Sequence, residues 1–391
     1  MTEIIIAGIG QIPVGEHWDM SLRSQAAQAI LAARKDAGGL LPQAVYIGNL
    51  LASTVSHQSN LGALVSEWSG LVGAEGICVE SAGASGAAAF HLAYMALASG
   101  FVDVAAVVGV EKITDKVGPG LEAAIGESLD SDYEQAQGMT LSASAALLMR
   151  RYLYETNAPR EAFGEFPILA HANAVGNPYA MFRKAISRKT YESAAIIADP
   201  LNLMDVAPYA DGAAAVILAR SDRLPAGALR AHPLVRVTGS AASADTLALH
   251  DRPDLLAFDA ARISIQRACR QAGILPGDAD FFELCDAYSI YAVLSLEAAG
   301  LAPRGEGWKL AMDGSLRMDG RLPILTMGGQ KARGNPLGAS GMYQIAEAAL
   351  QLRGQAGANQ LPHARRALVQ SLGGPASSAV AHVLERWDAP A

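Results

Sequence analysis

The chain is poor in the features expected of a secreted, membrane-spanning or nucleic-acid-binding protein. Three of its 391 residues are cysteine. Cys78, Cys269 and Cys285 are too few for a disulfide framework and fit a reducing, cytoplasmic compartment. Aromatic side chains make up 6% and charged ones 17%, and no Lys/Arg block exceeds three residues, so no nucleic-acid footprint is expected. The longest uncharged stretch, Ser81 to Val102, is rich in Gly, Ser and Ala and contains His91, unlike the continuous apolar run of a membrane span. Ile4–Gly10 follows Met1–Glu3 directly and reads as a strand rather than a signal peptide. His57, His91, His171 and His382 are scattered without metal-ligand spacing, so no metal site is expected. The glycine-rich segment Gly328–Gly341 has neither a Gly-Lys-Ser/Thr sequence nor a dinucleotide fingerprint, which excludes both nucleotide readings.

What remains is an apolar, small-residue chain. Hydrophobic side chains are 51%, glycines number 39, and 30 basic against 38 acidic side chains give a net charge of −8. Apolar runs of strand length alternate with helix-length periodic segments, which predicts a mostly parallel sheet covered by helices. The expected strands are Ile4–Ile9, Ala44–Ile47, Gly76–Glu80, Val102–Gly109, Ala213–Leu218, Val235–Gly239, Phe281–Cys285, Ala367–Gln370 and Ser378–Leu384. Helices are expected over Leu22–Ala37, Ala87–Ala98, Ser142–Asn157, Phe258–Ala272, Ser289–Ala299 and Met342–Leu352. The pattern restarts after Ser221–Pro225, dividing the chain into halves 1–223 and 224–391, with an inserted loop region at about 112–207. Gly83-Ala84-Ser85-Gly86 and Gly338-Ala339-Ser340-Gly341 each open a helix, a sign of internal duplication. Both place small residues where backbone approaches something closely.

Val79–Gly86, Asp211–Ala215, Glu283–Tyr288, Gly328–Gly341 and Ser371–Gly374 together resemble the thiolase superfamily, in particular its sterol-carrier-type and archaeal branch. The resemblance runs nearly end to end. It implies an α/β fold of two similar halves with mostly parallel sheets in an αβαβα layering, and a homodimer. It also implies an inserted region that helps bind coenzyme A as part of the substrate, with no separately bound cofactor. A small partner with a zinc ribbon and an OB-fold accompanies some members of this branch.

The departures from that pattern carry the functional expectation. Gly83 stands where the resemblance places the nucleophilic cysteine, and Asn335 where it places the histidine of Gly-His-Pro. Cys285 and Ala287 replace the histidine and cysteine of a His-Asp-Cys-Phe segment, and Ser371–Gly373 does not restore a Cys-x-Gly pair. Without a side chain at position 83 no acyl-enzyme can form there. Backbone N–H groups at Gly83 and Gly373 still suit a thioester oxyanion, and the Asn335 amide can donate to it without acting as a base. The thiolase-like aldolases of steroid side-chain degradation also lack the nucleophile, with tyrosines at the positions of Cys285 and Asn335.

The expectation is therefore a carbon–carbon lyase acting on a 3-hydroxyacyl-CoA. The alternatives are an inactive subunit scaffolding an active partner, and acyl transfer with Cys285 as nucleophile. Candidate catalytic residues are Cys285, Asn335, Tyr288 and Tyr343, beside the substituted Gly83. The two tyrosines carry a packing reading as well, and Asp286 reads as a backbone anchor. His171, Arg183 and Lys184 are candidates for the coenzyme channel.

Overall fold

The computed structural model describes residues 2–224 and 233–388; the junction expected at Pro225 lies outside the described residues. Nine strands form one sheet: β1 (Ile4–Gln11), β2 (Ala44–Gly48), β3 (Glu75–Val79), β4 (Val104–Glu111), β5 (Gly212–Arg220), β6 (Leu234–Ala244), β7 (Phe281–Glu283), β8 (Arg366–Gly373) and β9 (Ser378–Trp387). Their order is β3-β2-β4-β5-β1-β6-β9-β8-β7. In the first half β1 to β4 run one way and β5 runs against them. In the second half β6, β7 and β8 share a direction and β9 opposes them. The succession β6-β9-β8-β7 thus repeats β1-β5-β4-β2 in order and direction, and β1 meets β6 antiparallel at Ile5 and Ile6. The duplication hinted at by a tetrapeptide extends through the whole topology.

Seven helices among the described residues have ten residues or more: α1 (Leu22–Asp36), α2 (Ser85–Ala98), α3 (Leu141–Thr156), α4 (Glu165–Ala174), α5 (Asp259–Ala272), α6 (Ser289–Ala298) and α7 (Ser340–Arg353). Helix α1 covers the outside of β1, β4 and β5, and α5 covers β6 and β9. Helices α2 and α7 lie between the halves and touch strands of both, which completes the αβαβα layering. Helix α3, helix α4 and a short hairpin of Ile196–Ala198 with Leu201–Asn202 occupy the inserted region. No helix among the described residues is long and apolar enough to cross a membrane.

Close backbone approach accounts for several of the glycines. A Cβ at Gly8 would lie 2.1 Å from the Ala33 carbonyl oxygen and one at Gly10 2.1 Å from that of Ala29, so β1 rests directly on the alanine face of α1. The two Gly-Ala-Ser-Gly segments meet each other. A Cβ at Gly86 would sit 2.9 Å from the Gly338 carbonyl oxygen, and one at Gly341 2.8 Å from the Ala87 nitrogen. Each segment follows a residue in the left-handed region, Ala82 at φ 48° and Leu337 at φ 34°. Both helices start earlier than expected, at Ser85 and Ser340, after short 3-10 turns. The Ser85 hydroxyl accepts from Ser81 N at 2.9 Å and donates to the Ala82 carbonyl at 2.6 Å, which fixes the first of these turns.

Buried charge joins the halves. Glu111, at the end of β4, accepts from Asn49 Nδ2 and the backbone N–H groups of Leu50, Leu51 and Gly338 at 2.9–3.1 Å. Within the second half, Arg333 and Glu347 form a fully buried ion pair at 2.6 Å, with the guanidinium 5.0 Å from the Tyr343 ring centre.

Candidate active site

The site is built where β7 ends and the glycine-rich segment passes over it. Gly329 has φ 53°, and a Cβ there would lie 2.5 Å from Asp286 Oδ2. Its absence lets the Asp286 carboxylate accept from Gln330 N at 2.6 Å and Lys331 N at 3.2 Å. Asp286 therefore anchors the short helix Gly329–Arg333. Strand β7 stops at Glu283, short of the expected Cys285, because Cys285 N donates to the Gln370 side chain instead of a ladder partner.

A chain of side chains runs from this point. Cys285 Sγ donates to Gln330 Oε1 at 3.1 Å, and Gln330 Nε2 donates to Asn335 Oδ1 at 3.1 Å. Asn335 Oδ1 also accepts from Leu337 N at 3.2 Å and Ser340 Oγ at 2.8 Å. The Leu337 N–H can only donate, so it fixes the amide with Oδ1 on this side and Nδ2 on the other. The backbone of Asn335 is held by Pro208 and Ala210, and Tyr209 lies beside it in a parallel bridge. Burial pushes the Cys285 thiol up to about 12, so it stays protonated and poorly nucleophilic near neutrality.

Gly83 and Gly373 lie side by side. A Cβ at Gly83 would be 2.9 Å from the Leu372 carbonyl oxygen, and one at Gly373 2.4 Å from that of Ser81. The turn Ala82–Ala84 also packs against Leu337–Ala339, close to Asn335. Gly83, Gly373, Cys285 and Asn335, far apart in sequence, are thus gathered at the junction of the halves.

A cavity of about 650 Å³ opens beside this cluster, between α4, residues 182–190 and residues 203–209. His171 and Lys184 line it, whereas Arg183 is exposed and lies off its wall. His171 Nδ1 is 3.1 Å from the Lys184 carbonyl oxygen, and its ring stacks on Phe182 at 6.0 Å. Burial lowers its pKa, which favours the neutral ring. Tyr288 is buried behind the wall, with its hydroxyl 3.2 Å from Ser142 Oγ and its ring edge-on to Tyr291. Burial pushes this phenol up to about 12. Tyr343 belongs elsewhere. Its hydroxyl donates to the Ile12 carbonyl at 2.8 Å within the core between α7 and the first half, so it is a packing residue and not part of the site.

Five further polar residues on the wall are absent from the sequence-based candidates: Glu122, Ser142, Thr190, Tyr209 and Lys331. Burial raises the Glu122 carboxyl, and its charge acts on both Tyr209 and Tyr288. The Tyr209 hydroxyl is buried beside Tyr288 without a well-formed hydrogen bond. Lys331 stood inside the glycine-rich motif and Tyr209 two residues before Asp211. These positions were the available signals; Glu122 and Ser142 had none.

Fold and site define an α/β protein of two duplicated halves whose glycine-rich turns meet at their junction, with a cavity alongside. Residues 5–222 match the family described as the thiolase N-terminal domain, and residues 241–386 match the thiolase C-terminal domain-like family. The chain belongs to the thiolase family. It is 38% identical over 388 residues to acetyl-CoA acetyltransferase of Methanothermobacter thermautotrophicus, covering 99% of this chain and 100% of that protein. It is 34% identical over 216 residues to sterol carrier protein 2 of Oryctolagus cuniculus, covering 54% of this chain and 39% of that one. Among solved structures, the Ltp2-ChsH2(DUF35) aldolase superposes with a TM-score of 0.85 at 26% identity, over 99% of this chain and 98% of that one.

Proposed function

We propose that the chain is a carbon–carbon lyase that cleaves a 3-hydroxyacyl-CoA by a retro-aldol step, or joins the fragments in reverse, without a covalent acyl-enzyme. The observation that carries this reading is Asn335. Three donors hold its Oδ1, which fixes the amide and leaves Nδ2 as the group able to donate to a bound thioester. A base removes the β-hydroxyl proton, the new carbonyl forms as the Cα–Cβ bond breaks, and the electron pair passes to the thioester as an enolate. Asn335 Nδ2 and the neighbouring backbone N–H groups stabilise that oxyanion. Protonation at Cα then releases the shorter acyl-CoA. Glu122 is the carboxyl on the cavity wall, and burial raises its affinity for a proton, which suits the role of base.

Similarity to an aldolase supports this reading, and a Cys285 thiol held protonated by burial speaks against acyl transfer through that residue. That aldolase was solved together with ChsH2(DUF35), so a small zinc-ribbon and OB-fold partner belongs to the same proposal. A homodimer belongs to it as well. Strand β3 is an exposed sheet edge with Ile77 41% exposed, the kind of edge a second copy covers.

The test follows acyl-CoA products by mass spectrometry from a panel of 3-hydroxyacyl-CoA and 3-ketoacyl-CoA thioesters, with and without the partner. Release of an aldehyde or ketone and a shorter acyl-CoA from a hydroxy substrate, without free coenzyme A, is the expected result. Turnover of no thioester, with tight binding to a thiolase paralogue, would instead establish a scaffold.

A further inference from the structure

The reaction proposed above leaves one buried charge on the cavity wall without a role. Lys331 is 2% exposed, yet its side chain lines the cavity. Its Nζ donates to the backbone carbonyl of Asp205 at 2.5 Å. The neighbouring carboxylates are taken by other donors. Asp205 receives Arg160 at 2.7 Å and the Tyr191 hydroxyl at 3.0 Å, and Asp286 receives the two backbone N–H groups described above. Burial lowers the Lys331 ammonium to about 8 against the opposing pull of Asp286 and Asp205.

An ammonium has three N–H donors, and Asp205 O uses one. Around it the wall is largely apolar, with Phe182, Ile186, Ile197, Leu203 and Met204. The Tyr209 hydroxyl on the same wall lies beside the Tyr288 hydroxyl without a well-formed hydrogen bond, so it can turn to another acceptor. A buried cation and a hydroxyl able to donate, on a wall that also carries Lys184 and a Glu122 carboxyl whose pKa is raised by burial, are complementary to an anionic oxygen pair.

The position narrows the anion. Lys331 lies four residues before Asn335 in one segment, and Tyr209 is bridged to Asn335. Both groups therefore sit beside the thioester end of the site, and the pantetheine arm keeps the coenzyme phosphates away from that end. We propose that Lys331 and Tyr209 form a carboxylate subsite, and that the substrate is an acyl-CoA whose acyl group carries a second carboxylate. This inference rests on the acyl-thioester reading above and names the substrate class within it.

Isothermal titration of the full chain with succinyl-CoA and butyryl-CoA tests it. The two share a four-carbon acyl group and differ in a terminal carboxylate against a methyl. The expected result is tighter binding of succinyl-CoA by about tenfold to a hundredfold, the range of a charge-assisted hydrogen bond. Lys331→Met should bring the two within about threefold of each other. Equal affinity in the unaltered protein, a comparison that depends on no variant folding, would overturn the subsite while leaving the thioester reading in place. Failure of both ligands to bind would overturn the thioester reading itself. A Lys331→Met protein that loses turnover on every thioester but keeps its preference for succinyl-CoA would make Lys331 a catalytic group and overturn the subsite.

Discussion

Replacing Asn335 by aspartate removes one hydrogen-bond donor and leaves the shape of the side chain unchanged. In the parent, Oδ1 accepts from Gln330 Nε2, Leu337 N and Ser340 Oγ at 2.8–3.2 Å. An aspartate oxygen accepts the same three, so the local fold is retained. The atom facing the thioester changes from a donor to an acceptor. Loss of one oxyanion donor costs about 2.7–4 kcal/mol of transition-state stabilisation, a fall in kcat of about a hundredfold to a thousandfold. Asn335→Ala serves as the contrast, because it strands three buried donors at about 1–3 kcal/mol each and lowers stability as well. The assay is steady-state release of the shorter acyl-CoA, with thermal unfolding monitored in parallel. Asn335→Asp turning over within about threefold of the parent would refute the oxyanion role and the reading that rests on it.

Other consequences are checked by standard measurements. Gly86→Ala should destabilise the chain by about 1–3 kcal/mol in a denaturant titration, because the new methyl meets Gly338 O at 2.9 Å and Met342 at 3.0 Å. Arg333→Met should cost about 3–5 kcal/mol by leaving Glu347 buried and unpaired, and Glu347→Gln in the same background should recover part of the loss. Burial raises Glu111 and Glu283 from 4.5 to about 7, so the folded chain binds these protons more tightly than the unfolded chain. Their contribution is greatest below about pH 4.5 and falls as pH rises to about 7, by about 3 kcal/mol per group; Glu111→Gln should flatten that slope. Native iodoacetamide treatment should leave Cys285 unmodified and turnover intact by peptide mass spectrometry and assay, whereas rapid alkylation with loss of activity would support a cysteine nucleophile.

Much of this architecture was legible in the residues. Because strand and helix periods are local properties of sequence, the alternation of apolar runs located every strand of the sheet, although β6 runs five residues past its expected end at Gly239. The paired Gly-Ala-Ser-Gly segments pointed to duplication and to close backbone contact, and Asp286 read correctly as a backbone anchor. Helix starts were missed by two residues, since the serine-based turns before Ser85 and Ser340 depend on local hydrogen bonds that apolar spacing does not register. The site was only half visible. The motifs pointed to Cys285 and Asn335 as candidates, but which atom each presents depends on Gln330, Leu337 and Ser340 closing around them. Tyr343 and Tyr288 look alike in sequence, yet one hydroxyl is bound by the Ile12 carbonyl and the other faces Ser142, 146 positions away. Lys331 was an ordinary lysine in a glycine-rich run until the fold brought Asp205, 126 positions away, against its ammonium and closed an apolar wall around it. The sequence by itself determined the periodic elements, the duplicated halves and the empty side-chain position at Gly83, because each is written in neighbouring residues. Only the tertiary structure decided which donors are used, which point into the cavity and which charge is left over, because those properties arise where distant segments exclude water from one another.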